Sequence, residues 1–226
     1  MKNDRHNLFE RTHKTLGRMV FDAGRNVQQT EFSCTKQSKP VIIQIEDSIH
    51  FFRYHIIHED ALIYNSIVHA APYIVAMMEL ANAKDLRMTN TVNEKLNEYD
   101  SLCMKQSLDG FGDEIRAMYF SFTAAVLQHI HTENKVINDI LYSLFSDGQL
   151  IEMEMKLAKQ MFAPENNWYA RHMMNWITGP EIISWINGIS AYGYSNDAGE
   201  LLKKVKPAIP AEKWLMVTNN FSMERA

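Results

Sequence analysis

At 226 residues and 46% hydrophobic content, the chain is long enough for one large domain, or for one domain with a C-terminal extension. Its formal net charge of −4, with no long basic run, gives nucleic-acid binding little electrostatic support. Nine Gly and six Pro are few for a β-rich or loop-rich protein, whereas fourteen Met among many Leu, Ala, Glu and Lys suit helices. Cys34 and Cys103 are far apart and have no CxxC partner, which argues against a disulfide framework or a thiolate zinc site and for a reducing compartment. The N-terminal MKNDRHNLFERTHK is too polar for a signal peptide, and no apolar run approaches the roughly 20 residues of a membrane span. The expectation is a cytoplasmic protein without a membrane partner.

The first element is an amphipathic helix, read from Leu8, Phe9, Thr12, Leu16, Met19, Val20 and Ala23 at three- and four-residue spacing. A polar stretch over 28–39 ends before Pro40. A second helix is predicted over about 41–70, with Ile45, Ile49, Phe52, Ile56, Ile63 and Ile67 on one stripe and Pro72 as its limit. A short helix is predicted over 73–81, then a more polar one over about 89–108, broken by Leu108-Asp-Gly-Phe-Gly112. A fourth long helix over about 113–145 carries Ile115, Tyr119, Phe122, Val126, Val136 and Ile140 on one face. Four such helices suit an antiparallel bundle over residues 1–146.

From residue 147 onward the chain reads as several short helices packed on the bundle. Ser146-Asp-Gly-Gln149 and Thr178-Gly-Pro-Glu181 have the form of capping boxes. Ser195 or Asn196 is placed as a further cap, and Pro210 before the last helix. Trp168, Trp176, Trp185 and Trp214 lie in this part and need burial. The Met residues, Met77 and Met78 among them, read most simply as core packing.

Two segments carry chemistry. Phe51-Phe-Arg-Tyr-His55-Ile-Ile-His-Glu59-Asp and Phe122-Thr-Ala-Ala-Val-Leu-Gln-His129-Ile-His-Thr-Glu133 each contain His-x-x-x-Glu. Residues four apart share a helix face, so one imidazole and one carboxylate reach a single point beside the helix. A lone pair of this kind is usually a surface ion pair. These two pairs, however, lie on apolar stripes: Phe51, Phe52, Leu62 and Ile63 flank the first, and Ala125, Val126, Val136 and Ile137 flank the second. A buried carboxylate needs a partner, and a metal ion held by both pairs would be one. His13 lies on the apolar flank of the first helix between Phe9 and Leu16. The run His13-x-x-Leu16 has a counterpart in Asn93-x-x-Leu96, so the chain reads as two similar halves. His58 and His131 are read as second-layer or surface groups, and His6, His50 and His69 as solvated or locally hydrogen-bonded. His172 is a further candidate ligand from the C-terminal part.

The order of His13, His55-x-x-x-Glu59 and His129-x-x-x-Glu133 resembles the hemerythrin HHE cation-binding family, over roughly residues 8–145. The resemblance implies an all-α fold, an antiparallel four-helix bundle holding one or two non-haem iron ions. It implies His13, His55, Glu59, His129 and Glu133 as metal ligands, with Glu59 and Glu133 as bridges. The family's third helix supplies a His where this chain aligns Asn93, a poor substitute on iron. A shell of His and Glu suits iron, with zinc or manganese as alternatives. The function implied is binding or sensing of dioxygen, nitric oxide or related small oxidants. The alternative is a helical interaction or regulatory module with a degenerate metal site. No nucleophile elbow, phosphate-binding glycine loop or Rossmann fingerprint points to other catalysis.

Overall fold

The structure, a computed structural model, describes residues 5–33, 35–104, 108, 110–163 and 167–223, with the side chains of 59–61, 100, 104 and 221–223 left undescribed. Cys34 and Asp109 fall outside these residues, and Cys103 is a half-buried free thiol. The fold is all-α: 87% of it is helix and no strand occurs among the described residues. No helix among those residues is long and apolar enough to cross a membrane. The chain divides into two compact units, Leu16–Ile137 and Met1–Thr15 with Asn138–Ala226. The division falls inside the first helix and ahead of residue 146.

The Leu16–Ile137 unit holds most of α1 (Glu10–Gln29), then α2 (Thr35–Glu59) and a π-helical turn (Asp60–Tyr64) that runs into the short α3 (Asn65–Ile67). It continues with α4 (Pro72–Asn97), α5 (Tyr99–Met104), α6 (Phe111–Thr132) and a second π-helical turn (Glu133–Ile137). Helix α4 packs against both α2 and α6. Each of these helices buries residues at alternating three- and four-residue steps. On α6 the stripe is Ile115, Tyr119, Phe122, Val126, His129 and Glu133, and on α4 it is Val75, Met78, Asn82, Asp85, Thr89, Val92 and Leu96. That 3.5-residue period keeps one seam turned toward the neighbouring helices. Polar ties pin the helices together. The Tyr119 hydroxyl donates to the Val20 carbonyl at 3.2 Å, Arg53 donates to Thr89 Oγ1 at 2.8 Å, and Asn26 donates to Gln44 at 2.8 Å.

Three elements differ from the sequence expectation. Helix α2 begins at Thr35 and carries Pro40 inside it, rather than starting after the proline. Pro40 lies in the second turn, where its missing N–H removes one hydrogen bond and leaves the helix in place. The break expected between 81 and 89 does not exist, because α4 is continuous from Pro72, which stands at its first position. The next break comes at Glu98, and Gly110, at φ 76°, then turns the chain into α6. Finally, Val136 and Met77 are exposed at 37% and 51%, not buried. The second π turn adds a residue to the helical repeat and turns Val136 outward while Ile137 stays buried.

The other unit contains the start of α1 and helices α7 (Asn138–Leu144), α8 (Asp147–Met161), α9 (Asn167–Trp176), α10 (Gly179–Ala191), α11 (Ser195–Val205) and α12 (Ala211–Met223). Ser146 and Thr178 form complete capping boxes with Gln149 and Glu181, as their spacing predicts. Helix α11 starts at Ser195, with Tyr194 as the preceding cap residue. Lys213 on α12 donates to the carbonyls of Met174, Asn175 and Ile177 at 3.0, 2.6 and 2.8 Å, closing the carbonyl end of α9 with a cation. Trp185 is buried, whereas Trp168, Trp176 and Trp214 are half-buried.

This unit also buries a charged cluster. Glu154 pairs with Arg11, whose guanidinium lies 5.2 Å from the Trp185 ring centre, and with His6 Nε2 at 2.9 Å. The charges of Asp147 and Glu10 favour a charged His6. Burial and the Arg11 charge oppose it and win, lowering the His6 pKa to about 4. At neutral pH the ring is therefore uncharged, the state that its buried position beside Arg11 stabilises. The folded pKa lies below the unfolded value of 6.5, so this stabilisation is present above pH 6.5 and lost as pH falls toward 4. Discounted for partial solvent access, the loss is about 1–2 kcal/mol. In melting experiments between pH 7 and 4, His6→Gln should lose this component of the pH dependence, and its curve should be flatter than the parent's.

Candidate metal centre

The two His-x-x-x-Glu runs each end at a π-helical turn. The first turn starts directly after Glu59, and the second starts with Glu133 itself. A π turn inserts one residue into an α-helix and changes which face the following side chains take. In the first, Tyr64 becomes the last residue of the turn and is buried. Its hydroxyl donates to Glu133 Oε1 at 2.7 Å. The two π turns thus meet through their own side chains.

Glu133 is completely buried, at 0% exposure. Its second oxygen, Oε2, lies 3.4 Å from His55 Nε2 and 3.2 Å from His129 Nε2. His55 and His129 are buried as well, with ring centres 5.4 Å apart. Apolar rings wall them in. Phe52 lies edge-on to His129 at 5.0 Å and stacks near His55 at 6.5 Å, with Phe122 packed behind it at 5.8 Å.

On the far side of its ring, His129 Nδ1 lies 3.3 Å from Asp85 Oδ2. An ionised carboxylate only accepts, so the proton belongs on Nδ1. That tautomer turns the Nε2 lone pair toward Glu133 Oε2. Two lone pairs facing each other at 3.2 Å repel, and the surroundings are too dry to screen them. A positive bridge between them is required: a proton shared by the nitrogen and the oxygen, or a metal cation. The arrangement Asp–His–cation, with the carboxylate on the outer nitrogen, is the usual way a ligating imidazole is oriented.

Within the Leu16–Ile137 unit the structure brings together His55, His129 and Glu133 of the five residues expected as ligands. Glu59 closes α2, and its side chain is outside the described residues. His13 is buried on α1, stacked 5.0 Å from the Phe9 ring. His172 lies on α9 against Trp168, with ring centres 4.3 Å apart. His58 is half-buried against Tyr54, and His50, His69 and His131 are exposed, consistent with a peripheral role.

The third-helix position needs correction. Asn93, aligned there by sequence, is half-buried and lies eight residues beyond Asp85, about 12 Å farther along the helix axis. Asp85 is the α4 residue that reaches a site imidazole. Asp85 and Tyr64 were both missed by sequence reasoning. The signal for Asp85 was available in the three- and four-residue spacing of Asn82, Asp85 and Thr89 on the stripe of Val75, Met78, Val92 and Leu96. The expected break between 81 and 89 hid it.

Phe52→Ala should cost about 3–5 kcal/mol in denaturant-measured stability, because it removes a fully buried ring that supports both imidazoles.

No family model matches the chain, and neither a curated protein nor a solved structure matches it.

Proposed function

We propose that the chain is a metal-binding protein of the hemerythrin-like kind, its long helices arranged as an antiparallel four-helix bundle around a non-haem iron centre. The observation that carries the reading is Glu133: a wholly buried carboxylate oxygen with two imidazole nitrogens at 3.2 and 3.4 Å, one of them oriented by Asp85. Two donors that share an ion at ~2.1 Å, spread between right-angle and tetrahedral positions, lie roughly 3.0–3.4 Å apart. Both separations fall in that range. The donors are nitrogen and oxygen without thiolate, which suits iron, with zinc or manganese as alternatives. His13 and Glu59 enter the proposal as ligands that the resemblance implies. The 3.5-residue stripes on α4 and α6 support the bundle.

His55, His129 and Glu133 would hold the ion, and Asp85 would fix the His129 tautomer. Bound iron with an open position supplies reversible binding of dioxygen or nitric oxide. The protein residues exclude bulk water through Phe52 and Phe122 and hold the donors at fixed separations. The role that follows is binding or sensing of such small oxidants.

A helical interaction or regulatory module with a degenerate site is the competing reading. One observation favours it: a proton shared between His129 and Glu133 also supplies the required positive charge. Metal analysis separates the two. Protein purified anaerobically with ferrous iron should retain metal, and saturation at about 100 times Kd should raise stability by about 2.7 kcal/mol. His55→Ala and Glu133→Ala should each abolish retention. Asp85→Asn should weaken it by about 10–100-fold. Absence of metal together with an unchanged melting temperature in iron or zinc would leave the interaction module as the reading.

A further inference from the structure

We infer that the centre holds one ion per chain, and that Tyr64 limits it to one. The inference rests on the metal-binding reading and concerns the number of ions and the residue that sets it. A carboxylate bridges two ions by giving one oxygen to each. Glu133 does not have both oxygens turned to the same purpose. Its Oε1 accepts the Tyr64 hydroxyl at 2.7 Å, a distance typical of a strong hydrogen bond. Both imidazole nitrogens converge on the other oxygen, Oε2. Glu133 therefore offers a single oxygen to the imidazole side, and the resemblance-derived role of Glu133 as a bridge gives way to a terminal one.

The placement of Tyr64 is built into the backbone. Tyr64 ends the first π turn and Glu133 begins the second, so the hydrogen bond joins the two irregular turns of the unit. Tyr64 is itself buried at 2% exposure. Breaking the bond would strand a phenolic hydroxyl and a carboxylate oxygen in a dry interior, which opposes a swing of Glu133 toward a second ion. The His55 and His129 imidazoles and the Glu133 carboxylate are donors of the kind that mononuclear non-haem iron takes. Tyr64 is a positioning residue in this scheme: it acts on the ion through Glu133.

The test is the count and affinity of ferrous iron, titrated anaerobically into full-length protein and its Tyr64→Phe variant, with helical content checked by circular dichroism. The parent should saturate at one ion per chain. Tyr64→Phe, which keeps the ring and removes the hydroxyl, should take up a second ion or change its affinity by about tenfold or more. Two ions in the parent would overturn the inference while leaving the metal-binding reading intact. No ions in the parent would overturn the metal-binding reading itself. Unchanged count and affinity in Tyr64→Phe would remove Tyr64 from its role. After oxidation of the loaded protein with ferricyanide, a ferric–phenolate absorption band that disappears in the variant would also overturn it, because the hydroxyl would then be a ligand and not a donor to Glu133.

Discussion

The Leu16–Ile137 unit depends on how one buried carboxylate is satisfied. Glu133 has no access to water, and taking such a group out of water costs several kcal/mol unless its charge is matched. Four side chains from four elements answer that demand: Tyr64 from the first π turn, His55 from α2, His129 from α6 and, through His129, Asp85 from α4. Each is itself buried or nearly so, and His129 is oriented by Asp85 beyond it. The polar cluster is thus a constraint on the helices as much as a site. Helices α2, α4 and α6 cannot slide or rotate past one another without breaking a contact in the dry interior, where a broken contact is most expensive.

Around this cluster the apolar stripes set the coarse register and the polar groups set the fine one. Stripes with a 3.5-residue period tolerate small slips, because one Ile or Val substitutes for another across a seam. Polar contacts of 2.7 to 3.4 Å do not. Phe52 and Phe122 link the two levels. Phe52 packs against the imidazoles, Phe122 packs on Phe52, and both belong to the same stripes that pack the helices.

Much of this was legible in the sequence. The all-helical class followed from few Gly and Pro and from strong three- and four-residue spacing. The site side chains His55, His129 and Glu133 followed from His-x-x-x-Glu on apolar stripes, and the helix starts at residues 147 and 179 followed from Ser146 and Thr178. What stayed hidden has physical causes. Asp85 was masked because the run before it, Glu79-Leu-Ala-Asn-Ala-Lys84, reads equally well as a helix end and as a helix middle, and only packing decides between them. Tyr64 was hidden because its place depends on a π turn. A plain α-helical count from His55 puts residue 64 on a different face, and nothing in Asp60-Ala-Leu-Ile-Tyr64 announces the extra residue. The α2 start was misplaced because proline reads as a boundary, although an early turn of a long helix accepts it.

The paired π turns also bear on how the two halves of the unit are related. In each, a regular helix gains one residue at the glutamate of His-x-x-x-Glu or immediately after it. One residue is about 100° of helical rotation. Lengthening a helix by a single residue normally spoils everything downstream, because the buried face turns outward. Here the downstream residues Ile63, Tyr64 and Ile67 in one half and Ile137 in the other are buried after the insertion. The insertion and the sequence after it are therefore matched to each other. Two independent insertions would each have required their own matching. A single helical hairpin that already carried the extra residue, and was then copied within the chain, would need it only once.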